Sequence, residues 1–124
     1  MTDGPVLGIN LDGCVDEHPS FFRNLTRSWP GPVHLISFRD DHAKAEADLR
    51  LHGVRFDRQT LVSSFGAKAE VIRREGIRIY MDDQPEMLGD IGRECTVLLV
   101  RNGGNFDFDD RRWMFSKQTG KLVA

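Results

Sequence analysis

Short apolar runs, each ending in a polar or chain-breaking residue, alternate with stretches of helical spacing along this chain, and that alternation restricts it to few architectures. Val6 to Leu11 is the first run and stops at Asp12-Gly13, the pattern of a buried strand with a breaker behind it. Ser20 to Trp29 carries Phe21, Phe22, Leu25 and Trp29 on a helical period and halts at Pro30-Gly31-Pro32. Val33 to Phe38 reads as a second strand, and a helix is expected from Asp40-Asp41 to His52, closed by Gly53. Thr60 to Ser63 is a short third strand, and Ala67 to Glu75 a helix ended by Gly76. Ile77 to Met81 is a fourth strand running into Asp82-Asp83, after which Pro85 suits the first turn of another helix. Cys95 to Val100 is a fifth strand, followed by a turn at Asn102-Gly103-Gly104. Beyond Phe106 no period stands out; Phe106, Phe108, Trp113 and Phe115 are expected to pack on the core or on a partner.

This repetition predicts an α/β fold: a single three-layer Rossmann-like domain over residues 1–124, with a parallel five-stranded sheet covered by helices on both faces. In such sheets ligands bind beyond the carboxyl ends of the strands, near a switch in strand order. The residues to watch are therefore Asn10 to Gly13, Ser37 to Asp40, the approach to Lys68 near a helix start, and Asp82-Asp83. Amide, hydroxyl, ammonium and carboxylate groups meeting at one point suit a phosphate and a hard cation: magnesium takes one or two carboxylates and shares phosphate oxygens, while lysine and serine meet the rest. Two adjacent carboxylates, Asp82 and Asp83, repel unless a positive charge lies beside them.

Composition narrows the partners. The formal net charge is −2, with no basic stripe to favour nucleic acid; Arg73-Arg74 and Arg111-Arg112 read as solvated surface. Cys14 and Cys95 lie in apolar surroundings outside any C-x-x-C pair, which suggests buried free thiols and a reducing, cytoplasmic setting. Met1 to Pro5 lacks the basic start and apolar stretch of a signal peptide, and no apolar run is long enough to span a bilayer. His18, His34, His42 and His52 show no zinc-ligand spacing.

The ordered set Ile9-Asn10-Leu11-Asp12-Gly13, Val33-His34-Leu35-Ile36-Ser37, Lys68 and Tyr80-Met81-Asp82-Asp83 resembles the four motifs of the haloacid-dehalogenase-like (HAD) phosphohydrolases, in order and spacing, over residues 6–100. Ser37-Phe38-Arg39 and Gln84-Pro85-Glu86-Met87 are similar to phrases in nucleotidase-like members. The resemblance implies a magnesium-dependent phosphomonoester hydrolase. In it the first motif's acid attacks phosphorus, and Asp12 protonates the leaving oxygen and then activates water. It implies magnesium held at position 10, by the Asp12 carbonyl and by an acid of the last motif, Asp83 in preference to Asp82. Lys68 and Ser37 would meet the phosphoryl group, Gly13 would let the backbone approach it, and Arg39 would either bind the ligand or pair with Asp40 or Asp41.

The departure is Asn10, where the family has aspartate. A carboxamide cannot form the phosphoenzyme, and it removes one charge beside the metal, worth roughly 4 kcal/mol for a unit pair at about 4 Å and an effective dielectric of about 20. This form is expected to be inactive or a substrate trap, with aspartate at position 10 in the active enzyme. The alternative is a naturally non-catalytic phosphate-ligand-binding or regulatory domain. Only one helix fits between Asp12 and Ser37, and only a helix, a loop and a short strand between Ser37 and Lys68, so no cap domain is expected. By analogy a capless member takes a large substrate or uses a second subunit as lid, which leaves room for a homo-oligomer. A nucleotide or sugar phosphate is favoured as ligand, with a nucleic-acid terminus less so.

Overall fold

A computed structural model describes residues 4–84 and 89–114. Its strands β1 (Val6–Asn10), β2 (Val33–Ser37), β3 (Arg58–Leu61), β4 (Ile77–Asp82) and β5 (Thr96–Leu99) form one sheet in the order β3-β2-β1-β4-β5. Every neighbouring pair in it is parallel. Helices α1 (Pro19–Ser28), α2 (His42–Leu51) and α3 (Phe65–Arg74) make the crossovers, so the expected α/β architecture with a parallel five-stranded sheet is the one observed.

The two faces follow from strand periodicity. Leu7 and Ile9 of β1, with Val33 and Leu35 of β2, point toward α1 and α2 and pack with Phe22, Ala45 and Leu49. On the other face Ile36, Ile77 and Tyr80 pack with Val71 and Ile72 of α3. The chain moves outward from β1 to β3, then crosses back to β4, so strand order reverses beside β1. The crossovers α1 and α2 accordingly lie on one face and α3 on the other.

Several element boundaries differ from the sequence reading. β1 ends at Asn10, and Leu11–Val15 forms a wide turn in which Asp12 is extended and Gly13 has φ +86°. α1 spans Pro19–Ser28 instead of Ser20–Trp29. β3 is Arg58–Leu61, two residues earlier than Thr60–Ser63: as an edge strand it pairs through Arg58 and Gln59, whose side chains carry no apolar signal. α3 begins at Phe65 because Ser64 caps it, its hydroxyl accepting from the Ala67 N–H at 3.0 Å. The helix expected from Pro85 lies outside the described residues. After β5, the short strands β6 (Phe106–Asp107) and β7 (Arg112–Trp113) pair antiparallel, so part of the aromatic tail is a hairpin. Phe106 stacks edge-on against Phe108 and Trp113, at 5.0 and 5.2 Å between ring centroids. Among the described residues no helix is long and apolar enough to cross a membrane.

Candidate functional site

Asn10 is the last residue of the central strand and lies on the α3 face. Its carboxamide is held on both sides. The amide nitrogen donates to Asp83 Oδ1 at 3.0 Å and to the Asp12 carbonyl, while Oδ1 accepts from Lys68 Nζ at 3.3 Å. Lysine has only donors, so the atom facing it must be an acceptor, and this fixes which way the amide points.

Lys68 sits in the first turn of α3 and is fully buried. Its ammonium forms an ion pair with Asp82 Oδ2 at 2.6 Å and lies 4.3 Å from the centre of the Phe38 ring. Asp82, also fully buried, accepts further bonds from Tyr80 Oη at 2.5 Å and the Gln84 N–H at 2.9 Å. Burial, followed by the Asp82 charge, holds the Tyr80 phenol protonated well above its ordinary range. Gly8 makes room for that ring: a Cβ there would come within 2.8 Å of Tyr80 Cδ1 and of Ile77 Cγ2. The adjacent acids thus separate in role. Asp82 faces Lys68 and Tyr80, and Asp83 faces Asn10.

Asp12 enters the cluster by its backbone. Its carboxylate, about half exposed, turns outward to Arg39, which donates from Nε at 2.9 Å and from Nη2 at 2.6 Å. Arg39 is anchored in turn by Asp48 of α2, Nη1 to Oδ2 at 2.6 Å. The expected partners of Arg39, Asp40 or Asp41, are therefore corrected to Asp12 and Asp48; Asp41 instead caps α2 by accepting from the Lys44 N–H at 3.0 Å. The hydrogen bond from Arg39 holds the Asp48 carboxyl below its ordinary pKa.

Ser37 ends β2 next to β1, one residue past the Asn10–Ile36 pairing. Its hydroxyl is buried and makes no hydrogen bond among the described residues. Gly13 needs its positive φ for the turn, and it also has no room for a side chain, since a Cβ would overlap the Asp83 carboxylate. The sequence-derived candidates Asn10, Asp12, Gly13, Lys68, Asp82 and Asp83 are therefore joined in one network at the strand exits. Arg39 is joined to it through Asp12, and Ser37 stands on the neighbouring strand.

Four participants were not singled out from sequence. Asp48 holds Arg39, and Asp16 accepts from the Gly13 N–H at 2.7 Å. Asn105 donates to the carbonyls of Asp83 at 2.5 Å and Val100 at 2.6 Å, and Asn102 to the Gly13 carbonyl at 3.4 Å. The last two tie the C-terminal hairpin to the site. In the sequence, Asn102-Gly103-Gly104 after a strand signals a turn and nothing more.

The magnesium expected here would draw on position 10, the Asp12 carbonyl and Asp83. As the side chains stand, the Asn10 amide nitrogen occupies the point where the two latter oxygens converge. These residues do not fit a divalent cation in this arrangement. Among the described residues, no group of three His, Cys, Asp or Glu side chains is placed to hold a metal ion.

No family model matches the chain, and no curated protein matches it. Among solved structures it is similar to an O-GlcNAc transferase mutant from Thermobaculum terrenum, with 24% sequence identity, 69% of this chain covered and a TM-score of 0.43. The chain spans 17% of that protein's length.

Proposed function

We propose that this is a phosphoryl-recognising domain of the HAD type which, with asparagine at position 10, binds a phosphomonoester without hydrolysing it. The observation that carries this reading is the shared carboxamide of Asn10, with Lys68 on one side and Asp83 and the Asp12 carbonyl on the other. That pairing unites three of the four HAD-like motifs around one side chain. The Ser37 hydroxyl, belonging to the remaining motif and without a hydrogen-bond partner among the described residues, offers a donor that a phosphoryl oxygen would satisfy.

The chemistry follows from the groups present. A carboxamide at position 10 has no anionic oxygen to attack phosphorus, so the covalent step is absent. In the Asn10→Asp form, the new carboxylate oxygen would bond to phosphorus as the ester oxygen departs with the bonding pair. Asp12 would supply that oxygen's proton, then take one from the water that cleaves the acyl phosphate. For this Asp12 must leave Arg39, and the freed guanidinium can then take phosphoryl oxygens with the same bidentate geometry. The ligand class favoured is a nucleotide or sugar phosphate.

The test is phosphate release from a panel of phosphomonoesters by the Asn10→Asp form with magnesium, against the unaltered chain. Magnesium-dependent turnover in the variant and none in the unaltered chain is the expected result. A second reading, a regulatory domain that never hydrolyses its ligand, draws support from how fully the Asn10 amide is satisfied where it stands. An Asn10→Asp form that folds, binds phosphate and releases none would select it.

A further inference from the structure

We infer that the Asn10 side-chain amide is a built-in substitute for a divalent cation, so that this site recognises its anionic ligand without metal. The inference rests on the phosphoryl-site reading only for the identity of the ligand; the blocked cation seat stands on geometry alone.

A hard cation at this strand exit needs oxygen atoms converging on one point. Two such oxygens, the Asp12 carbonyl and Asp83 Oδ1, do converge, and the Asn10 NH2 group donates one N–H to each. The amide thus does to these oxygens what a cation would do. To admit a metal, the amide would have to rotate and present Oδ1 instead. That rotation turns its NH2 toward Lys68 Nζ, now 3.3 Å from Oδ1, and sets donor against donor. Lys68 cannot easily withdraw. It is fully buried, paired with Asp82 at 2.6 Å and covered by the Phe38 ring. The lysine therefore locks the amide in the orientation that blocks the cation.

Asparagine also brings no charge. A metal ion would face one carboxylate at this point, Asp83, where the aspartate form offers two. Blocking and charge deficit act in the same direction, and a variant separates them. Asn10→Ala removes the amide but adds no carboxylate, so it relieves the block alone.

The experiment is titration with Mn2+, followed by the spin-resonance signal of the free ion, and with Mg2+, followed by melting temperature. It uses the unaltered chain, Asn10→Ala, Asn10→Asp and Asn10→Asp/Asp83→Asn. We expect Mn2+ to bind Asn10→Asp at least about a hundredfold more tightly than the unaltered chain. Asn10→Ala should fall between them, and Asp83→Asn should abolish the gain. Inorganic phosphate should bind the unaltered chain equally with Mg2+ and with a chelator. Unaltered protein that binds Mn2+ as tightly as Asn10→Asp would overturn the inference. So would an Asn10→Ala form that binds no better than the unaltered chain, a comparison that holds even where Asn10→Asp fails to fold. Asn10→Asp that takes up the cation but hydrolyses no ester would count against the first reading under the proposed function and leave the metal block standing.

Discussion

Lys68→Met tests whether the buried polar cluster is one energetic unit. The substitution keeps an unbranched side chain one atom shorter and removes its charge. Asp82 would then lie fully buried with no cation at 2.6 Å, keeping the Tyr80 hydroxyl and the Gln84 N–H as donors among the described residues. Removing one partner of a buried ion pair costs roughly 3–5 kcal/mol, because the remaining charge is left uncompensated. The loss of the Asn10 bond at 3.3 Å adds less, about 1 kcal/mol. Against a typical domain stability of about 5–15 kcal/mol, such a loss is large. Pairing it with Asp82→Asn removes the stranded charge, and the double variant should recover at least about 2 kcal/mol relative to Lys68→Met. Urea unfolding of the four proteins closes the cycle. A loss below about 1 kcal/mol in Lys68→Met, or a double variant no more stable than the single, would refute the reasoning.

Three other outcomes follow from the same geometry. Gly13→Ala combines a φ of +86° with a Cβ that overlaps the Asp83 carboxylate, so it should destabilise by about 1–3 kcal/mol in urea unfolding and weaken phosphate binding. His34 is buried, its Nε2 2.7 Å from Thr60 Oγ1, and burial lowers its pKa below 6.5 despite Glu75 at 3.9 Å and with Arg58 and Arg74 opposing protonation. Because the unfolded chain takes up the proton first, His34 should cost stability as pH falls below about 6.5, and His34→Gln should flatten that part of the urea-midpoint profile. Cys14 and Cys95 are buried with thiol pKa values raised chiefly by burial, so both should resist alkylation at pH 8 in the folded protein and react on unfolding.

The sheet was legible because β1 and β2 are short buried apolar runs and β4 a partly buried one, and their length together with the breakers behind them marks such segments as strands. β3 was misplaced by two residues because an edge strand can pair through backbone alone, and Arg58 and Gln59 do so. The convergence of Asn10, Lys68 and Asp83 was legible from motif order combined with the rule that ligands sit at strand exits. Which acid faced which partner depended on strand alternation at the end of β4, and the sequence favoured Asp83 beside position 10. The Asp48 anchor on Arg39 was not legible, since it depends on how α2 lies across the sheet. Neither was the orientation of the Asn10 amide, because a sequence lists an asparagine without saying which atom of its amide faces a lysine. The tail hairpin was missed for a related reason: its strands have only two residues each and are set by Asn102 and Asn105, not by a run of apolar residues.

The most direct check on the whole account is a titration of 15N-labelled unaltered protein with inorganic phosphate, observed by NMR. The Asn10 side-chain amide and the backbone amides of Gly13, Ser37 and Phe38 should shift together along a single saturation curve. The other end of the sheet, where His34, Arg58, Arg74 and Glu75 line a cavity of ≈ 330 Å³, should stay still. No saturable shift at the strand exits, or shifts confined to that opposite cavity, would contradict it.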